Sequence, residues 1–216
     1  MPAKSQKKAK GLYHHGDLER ALVDMAVRVI GEDGLDGLTL RGVGSRLGVS
    51  RTALYRHFED KAALLAQVAQ EGFERLRTAL ESAAALARSM GGDPMEEICG
   101  AYVAFAVQHR SHYRTMFGRT LEQWGCHPGL GTKAESAFEV LIATIAGEQT
   151  AGRVAPGDPL CIAQVVWPMV HGIASLGLDG QLSHRQIEDR ELENLARFAW
   201  RSLRYGITPD RTNQTG

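Results

Sequence analysis

Four arginines, Arg41, Arg46, Arg51 and Arg56, fall in a stretch of residues 39–58 that contains no Asp or Glu. A guanidinium is permanently charged and offers a planar fork of donors that fits phosphate oxygens and the edge of guanine. Around them stand smaller groups with compatible chemistry. Thr39 and Ser50 carry hydroxyls, Tyr55 and His57 polar ring tips, and Lys61 an ammonium, while Thr52 and Ala53 present methyl groups. Such a set suits contact with a polyanion and its base edges. Four more cations, Lys4, Lys7, Lys8 and Lys10, lie in the first ten residues.

Over the whole chain Lys+Arg and Asp+Glu both number 25, so net charge is zero. That balance hides an asymmetry: residues 1–61 carry a net +3 and the remainder −3. A basic N-terminal part followed by a mildly acidic remainder fits a nucleic-acid reader joined to something else.

The local sequence explains how these groups are positioned. In TLRGVGSRLGVSRTALYRHFEDK, residues 39–61, Thr39 is placed to cap a short helix with Leu40, Val43 and Leu47 on one face. Gly48 supplies a left-handed turn. Ser50 caps a second short helix that carries Leu54 and Phe58 inward, and Asp60 caps a third. Two short helices joined by a tight glycine turn form a helix-turn-helix, whose second helix enters a DNA groove. Upstream, Leu18, Leu22, Met25, Ala26, Val29 and Ile30 recur at helical spacing from Asp17, and Gly34 is the expected stop.

Downstream, Leu64, Leu65, Val68, Phe73, Leu76, Leu80 and Leu86 form one long stripe ending at Gly91-Gly92. Asp93-Pro94-Met95-Glu96 reads as a helix start, with Glu96 reaching back to the cap. Tyr102, Phe105, Ala106, His109 and Tyr113 share a side of that helix, 112–118 is a short aromatic continuation, and 119–131 is a looser connection. Phe138, Leu141, Ile142 and Ile145 mark another helix. Asp158-Pro159 opens an uncharged one over 159–178, in which Pro168 should produce a kink. That run is long enough for a membrane span, but Gln164, Pro168, His171 and Gly172 interrupt it, so a helix buried in a soluble bundle is expected. Ser183 and Gln186 form a capping box before a last helix with Leu192, Leu195, Phe198, Ala199 and Leu203, ended by Gly206 and Pro209. No strand pattern is present, and the expected fold is all-α.

Cys99, Cys126 and Cys161 are widely spaced, which argues against a disulfide framework or cysteine zinc site and for a reducing cytoplasm. The glycines at 42, 44 and 48 lack the preceding strand and the lysine of a phosphate loop, and no nucleophile elbow is present, so no enzyme activity or cofactor is expected. His109, His112 and the Cys126-His127 pair leave a metal site conceivable, but without a fourth ligand in a recognised spacing none is expected. Tyr102, Phe105, His109, Tyr113, Met116, Phe117, Trp167 and His171 are either core or, with the polar tips converging, the lining of a mostly apolar ligand pocket.

Thr39-Leu40, Val43, Gly48-Val49-Ser50, Leu54-Tyr55, His57-Phe58, Lys61 and Leu64 together resemble the N-terminal domain of TetR-family transcriptional regulators over about residues 14–65. Gly44 and Leu47 depart from the alanines usual there. Ala106, Tyr113, Met116-Phe117, Trp167, His171-Gly172 and Ala174 resemble the TetR C-terminal domain named for Trp-His-Gly, with Arg110 in place of the usual proline.

This resemblance implies a disordered basic tail at 1–13, a helix-turn-helix DNA-binding domain at 14–61, a helical ligand-binding and dimerisation domain at 62–206 and a flexible tail at 207–216. It implies a homodimer that binds a palindromic operator in double-stranded DNA and is released by a small hydrophobic or aromatic effector, with no membrane partner. Arg51, Thr52 and Ala53 would lie nearest the bases, and Tyr55, His57, Lys61, Thr39 and Ser50 nearest phosphates. Arg41 and Arg56 would serve either. A helical scaffold, or a metal- or redox-responsive protein using the helix-turn-helix for other contacts, is the alternative.

Overall fold

A computed structural model describes residues 15–118, 127–182 and 187–205. The proposed tails, the 183–186 capping box, Cys126 and the Gly206–Pro209 stop lie outside the described residues. Among those described, every regular element is a helix, and the protein is all-α. Chain contacts divide it into two compact units, with the boundary between Leu64 and Leu65.

The first unit holds α1 (His15–Gly37), α2 (Leu40–Leu47), α3 (Arg51–His57) and the start of α4 (Lys61–Ser89). Its core is Leu22, Val23, Ala26, Val29 and Ile30 of α1 with Leu38, Leu40, Val43, Leu54, Phe58 and Leu64. Gly34 breaks the helical path of α1 with φ 73° and ψ 178°, but helix resumes to Gly37 rather than stopping, because a glycine can absorb one aberrant residue between two turns. Between α2 and α3, Gly48 sits at φ 66° and its N–H bonds back to Ser45 and Gly44 carbonyls. Gly44, one of the two departures from the family, is buried, and a Cβ there would lie 3.3 Å from Leu54 Cδ2. That is tighter than an ordinary contact, so the glycine lets Leu54 pack closely against α2.

The second unit contains the rest of α4 with α5 (Pro94–Gln108), α6 (Arg110–Phe117), α7 (Pro128–Thr150), α8 (Pro159–Leu178) and α9 (Asp189–Tyr205). α5 is central and packs on α6, α7, α8 and α9. Its acidic start is held by arginines of α9. Asp93 caps Met95 and Glu96 N–H groups through Oδ1, at 2.9 and 3.2 Å, while Oδ2 accepts from Trp200 Nε1 at 3.1 Å and Arg204 at 2.6 Å. Glu97 pairs with Arg197 at 3.1 Å. Glu96 pairs with Arg201 instead of reaching back to the Asp93 N–H, because a guanidinium is a stronger partner than a backbone amide.

Several expectations change in three dimensions. Leu86 leaves the α4 stripe and is 61% exposed, with Ala84 and Ala87 taking the buried positions. The chain breaks at His109 (φ −120°, ψ 45°) even with Arg110 in place of proline, so α6 is separate. α7 begins at Pro128, within the segment expected to be a loose connection, since proline lacks only a donor that a helix start leaves unpaired. Pro168 lies inside α8, which persists as one helix around it. That helix is not buried all round. Ala163, Val166, Val170 and Ala174 face inward, whereas Leu160, Val165, Trp167 and Leu176 are exposed. α9 likewise buries Leu192, Ala196 and Trp200 and leaves Phe198 57% exposed with Leu203.

Candidate nucleic-acid interface and apolar cavity

The exposed side of the first unit is fixed by its caps. Thr39 Oγ1 accepts from Gly42 N–H at 3.0 Å, Ser50 Oγ from Ala53 N–H at 3.2 Å and Asp60 Oδ1 from Ala63 N–H at 2.7 Å. Each bond satisfies a donor that a helix start would otherwise leave unmet. With Leu54 locked inward, α3 must present Arg51, Thr52, Tyr55 and Arg56 to solvent, and Tyr55 is 46% exposed. Arg41 on α2 is exposed too, and Ala53 is half-buried. These side chains share the accessible surface of α2 and α3.

Three other polar side chains of the region are engaged. Arg46 is tied to Glu32 and, at 2.8 Å, to Asp33, and these partners hold its proton more firmly. Lys61 Nζ donates to the Leu35 carbonyl at 2.7 Å, leaving two ammonium hydrogens for a further acceptor. His57 is largely covered, with Nδ1 3.8 Å from the Glu19 carboxylate.

The second unit holds a partly open cavity of about 280 Å³. α4 contributes Phe73, Leu76 and Leu80, α5 Ile98, Cys99 and Tyr102, and α6 Phe117. α7 contributes Ala134, Glu135, Ala137, Phe138 and Leu141, and α8 Val166, Trp167 and Val170. The aromatic rings interlock: Phe117 lies 5.7 Å from Phe73, 4.7 Å from His171 and 6.4 Å from Trp167. Tyr102 Oη and Tyr113 Oη are each 3.0 Å from His171 Nδ1, and Tyr113 also lies 3.3 Å from the His171 carbonyl.

Burial dominates the ionisation of this cluster. It holds the His171 imidazole below its ordinary value and raises both tyrosine hydroxyls. Burial, reinforced by Asp93 and Glu96, also pushes the Cys99 thiol up to about 12. Near neutral pH the imidazole, phenols and thiol are all uncharged.

Of the aromatic residues singled out in the sequence, Tyr102, Phe117 and Trp167 line this cavity. Tyr113 and His171 stand behind Tyr102 through the shared hydrogen bonds. Phe105, His109 and Met116 do not line it. Phe105 and Met116 are buried elsewhere, and the His109 ring lies 5.1 Å from Phe105 and 5.9 Å from His112. No cluster of three or more His, Cys, Asp or Glu suited to a metal occurs among the described residues. Phe73, Leu76, Leu80, Phe138 and Leu141 were visible in the sequence only as helical stripes. A stripe shows that a face turns inward, but not that it meets a void.

Comparison with known proteins agrees with this architecture. Residues 22–68 match the family described as bacterial regulatory proteins, tetR family, and residues 95–201 match the tetracyclin repressor-like C-terminal domain. The chain is 26% identical over 98 residues to the uncharacterized HTH-type transcriptional regulator YobS of Bacillus subtilis, covering 45% of this chain and 50% of YobS. It is 39% identical over 51 residues to the class D tetracycline repressor of Escherichia coli, covering 24% and 23% of the two chains. The matches thus span half or less of these curated relatives.

Among solved structures, a protein of unknown function from Rhodococcus sp. RHA1 is similar at a TM-score of 0.75 and 34% identity, covering 89% of this chain and 98% of that one. PfmR of Thermus thermophilus, a TetR-family regulator, shares the fold at a TM-score of 0.66 and 17% identity, covering 87% and 98%. An N-terminal helix-turn-helix followed by a helical second unit defines a DNA-binding transcriptional regulator. The chain belongs to the TetR family.

Proposed function

We propose that this regulator is a cytoplasmic, homodimeric repressor that binds a palindromic operator and is released from it by a small hydrophobic or aromatic effector held in the second unit. The observation that carries the DNA half is the capped α2–Gly48–α3 pair with Arg51, Thr52, Tyr55 and Arg56 exposed on it. Arg51 at the start of α3 is suited to two-point reading of guanine, and the Thr52 and Ala53 methyls to contact with thymine. Thr39, Ser50, Tyr55, His57 and Lys61 are the phosphate contacts, and Arg41 and Arg56 serve either role. The names of the tetracycline repressors, matched over this same region, support repression.

Dimerisation is supported by the apolar faces that α8 and α9 leave exposed. Val165 and Phe198, with the half-buried Leu195, would form a four-helix interface with their counterparts. An effector acts only if it binds the DNA-incompetent state more tightly than the competent one. α4 carries both Lys61 and three cavity residues, so it is the element through which that preference would be transmitted.

Selection of bound fragments from the parent genome tests the reading. The recovered site should be a palindrome with half-sites about 34–36 Å apart or a multiple. On that site Arg51→Ala should cost about 1–3 kcal/mol and relax specificity at one position. Arg46→Ala, whose guanidinium is occupied by Glu32 and Asp33, should leave the salt dependence of binding unchanged. Selection that enriches no common sequence, or wild-type affinity in Arg51→Ala, would refute the assignment.

A further inference from the structure

Of the described residues lining the cavity, only Cys99, Tyr102, Glu135 and Trp167 have polar side-chain atoms, and none of them is a cation. Glu135, the one charged group, is an exposed carboxylate. Lys133, two residues before it, does not line the cavity, and its Nζ is held 2.7 Å from Glu74.

The two tyrosine hydroxyls at the polar end are already committed. With the ring proton of His171 on Nε2, Nδ1 accepts from Tyr102, and Tyr113 has the His171 carbonyl at 3.3 Å. What remains toward the cavity is uncharged: the Tyr102 oxygen, the Trp167 indole, the Cys99 thiol and aromatic faces. An anion entering this space would lose water and find, among the described lining residues, no counter-charge and only neutral donors. An uncharged molecule with a single hydroxyl meets no such penalty, since that hydroxyl can donate to the Tyr102 oxygen. The volume of about 280 Å³ lies at the bottom of the range of small-molecule pockets, about 300–1,000 Å³, so the molecule is small.

Building on the effector reading above, we infer that the cavity takes a small neutral apolar molecule, such as an aromatic or aliphatic alcohol, and excludes carboxylates of the same carbon skeleton. The discrimination resides in Glu135 at the wall, the absence of a cation among the described lining residues, and the Tyr102–His171–Tyr113 cluster.

The test is titration calorimetry on the full-length protein with 1-decanol and decanoate, at concentrations below micelle formation. Decanol should bind and decanoate should bind at least about ten-fold more weakly, the direction set by the cost of burying an uncompensated carboxylate. Ala134→Phe, which adds bulk at the cavity wall from a half-buried position, should abolish decanol binding while leaving the helical circular dichroism unchanged. Ala134→Leu, a smaller addition, serves as the second variant if the phenylalanine unfolds the chain. Decanoate binding as tightly as decanol, with both lost in the wall variant, would overturn the neutral-ligand inference and leave the effector cavity standing. Binding of neither probe, or decanol binding unaffected by both wall variants, would overturn the effector cavity and the inference with it.

Discussion

Asp93 is the polar joint of the second unit, and removing its carboxylate has a cost that can be worked from its partners. In Asp93→Ala, the N-cap of α5 is lost, which costs about 1 kcal/mol. Trp200 is only 2% exposed, so its indole N–H is left without an acceptor at about 1–3 kcal/mol. Arg204 loses a charge-assisted bond, worth less than the usual 1.5–3 kcal/mol because its guanidinium can partly turn to water. The three losses overlap in one side chain, so a combined destabilisation of about 3–5 kcal/mol is expected rather than their full sum. Urea unfolding at fixed protein concentration measures it, with the concentration held constant because a dimer's stability depends on it. Asp93→Asn should lose clearly less, since asparagine caps helices as well as aspartate does. Trp200→Phe should soften the effect of Asp93→Ala, because the orphaned donor is gone. A loss below about 1 kcal/mol in Asp93→Ala, or strict additivity with Trp200→Phe, would refute the joint.

Other outcomes follow from the same structure. Phe198→Glu places a charge on the exposed apolar face of α9 and should shift sedimentation at micromolar concentration from dimer to monomer; an unchanged dimer would move the interface elsewhere. Burial holds His171 below its ordinary value of 6.5, so on acidification the unfolded chain takes up a proton that the folded one refuses. Stability should therefore fall as pH drops below about 6.5 and be independent of this group above it, and His171→Asn should flatten that slope in urea titrations at stepped pH. Lys61→Met removes the donor to the Leu35 carbonyl and should cost about 1 kcal/mol of stability. It should also reduce the salt slope of operator binding by about 0.9 if the ammonium meets a phosphate.

Much of the first unit was legible in sequence because its signals are local. Thr39, Gly48, Ser50 and Asp60 act within three or four residues of themselves, and each does in the structure what its type and spacing indicate. The second unit was legible as helices but less so as a site. Leu86 and Leu80 read alike on the α4 stripe, yet only Leu80 is buried, because the inward face near the end of α4 passes through Ala84 and Ala87 instead. The aromatic set separated in the same way. Tyr102 and Phe105 lie on one helix and are both buried, but only Tyr102 faces the cavity.

For residues 39–61, then, the sequence alone determined most of the exposed side chains, His57 being the exception, since caps, turn and inward leucines are set by neighbours in the chain. That Arg46 is bound to Glu32 and Asp33 while Arg51 is left to solvent was decided only by tertiary structure. So were the meeting of Tyr102, Tyr113 and His171 and the void in front of them. These depend on where residues from separate helices come to rest, and a helical period fixes the direction of a side chain but not the distance to what it faces.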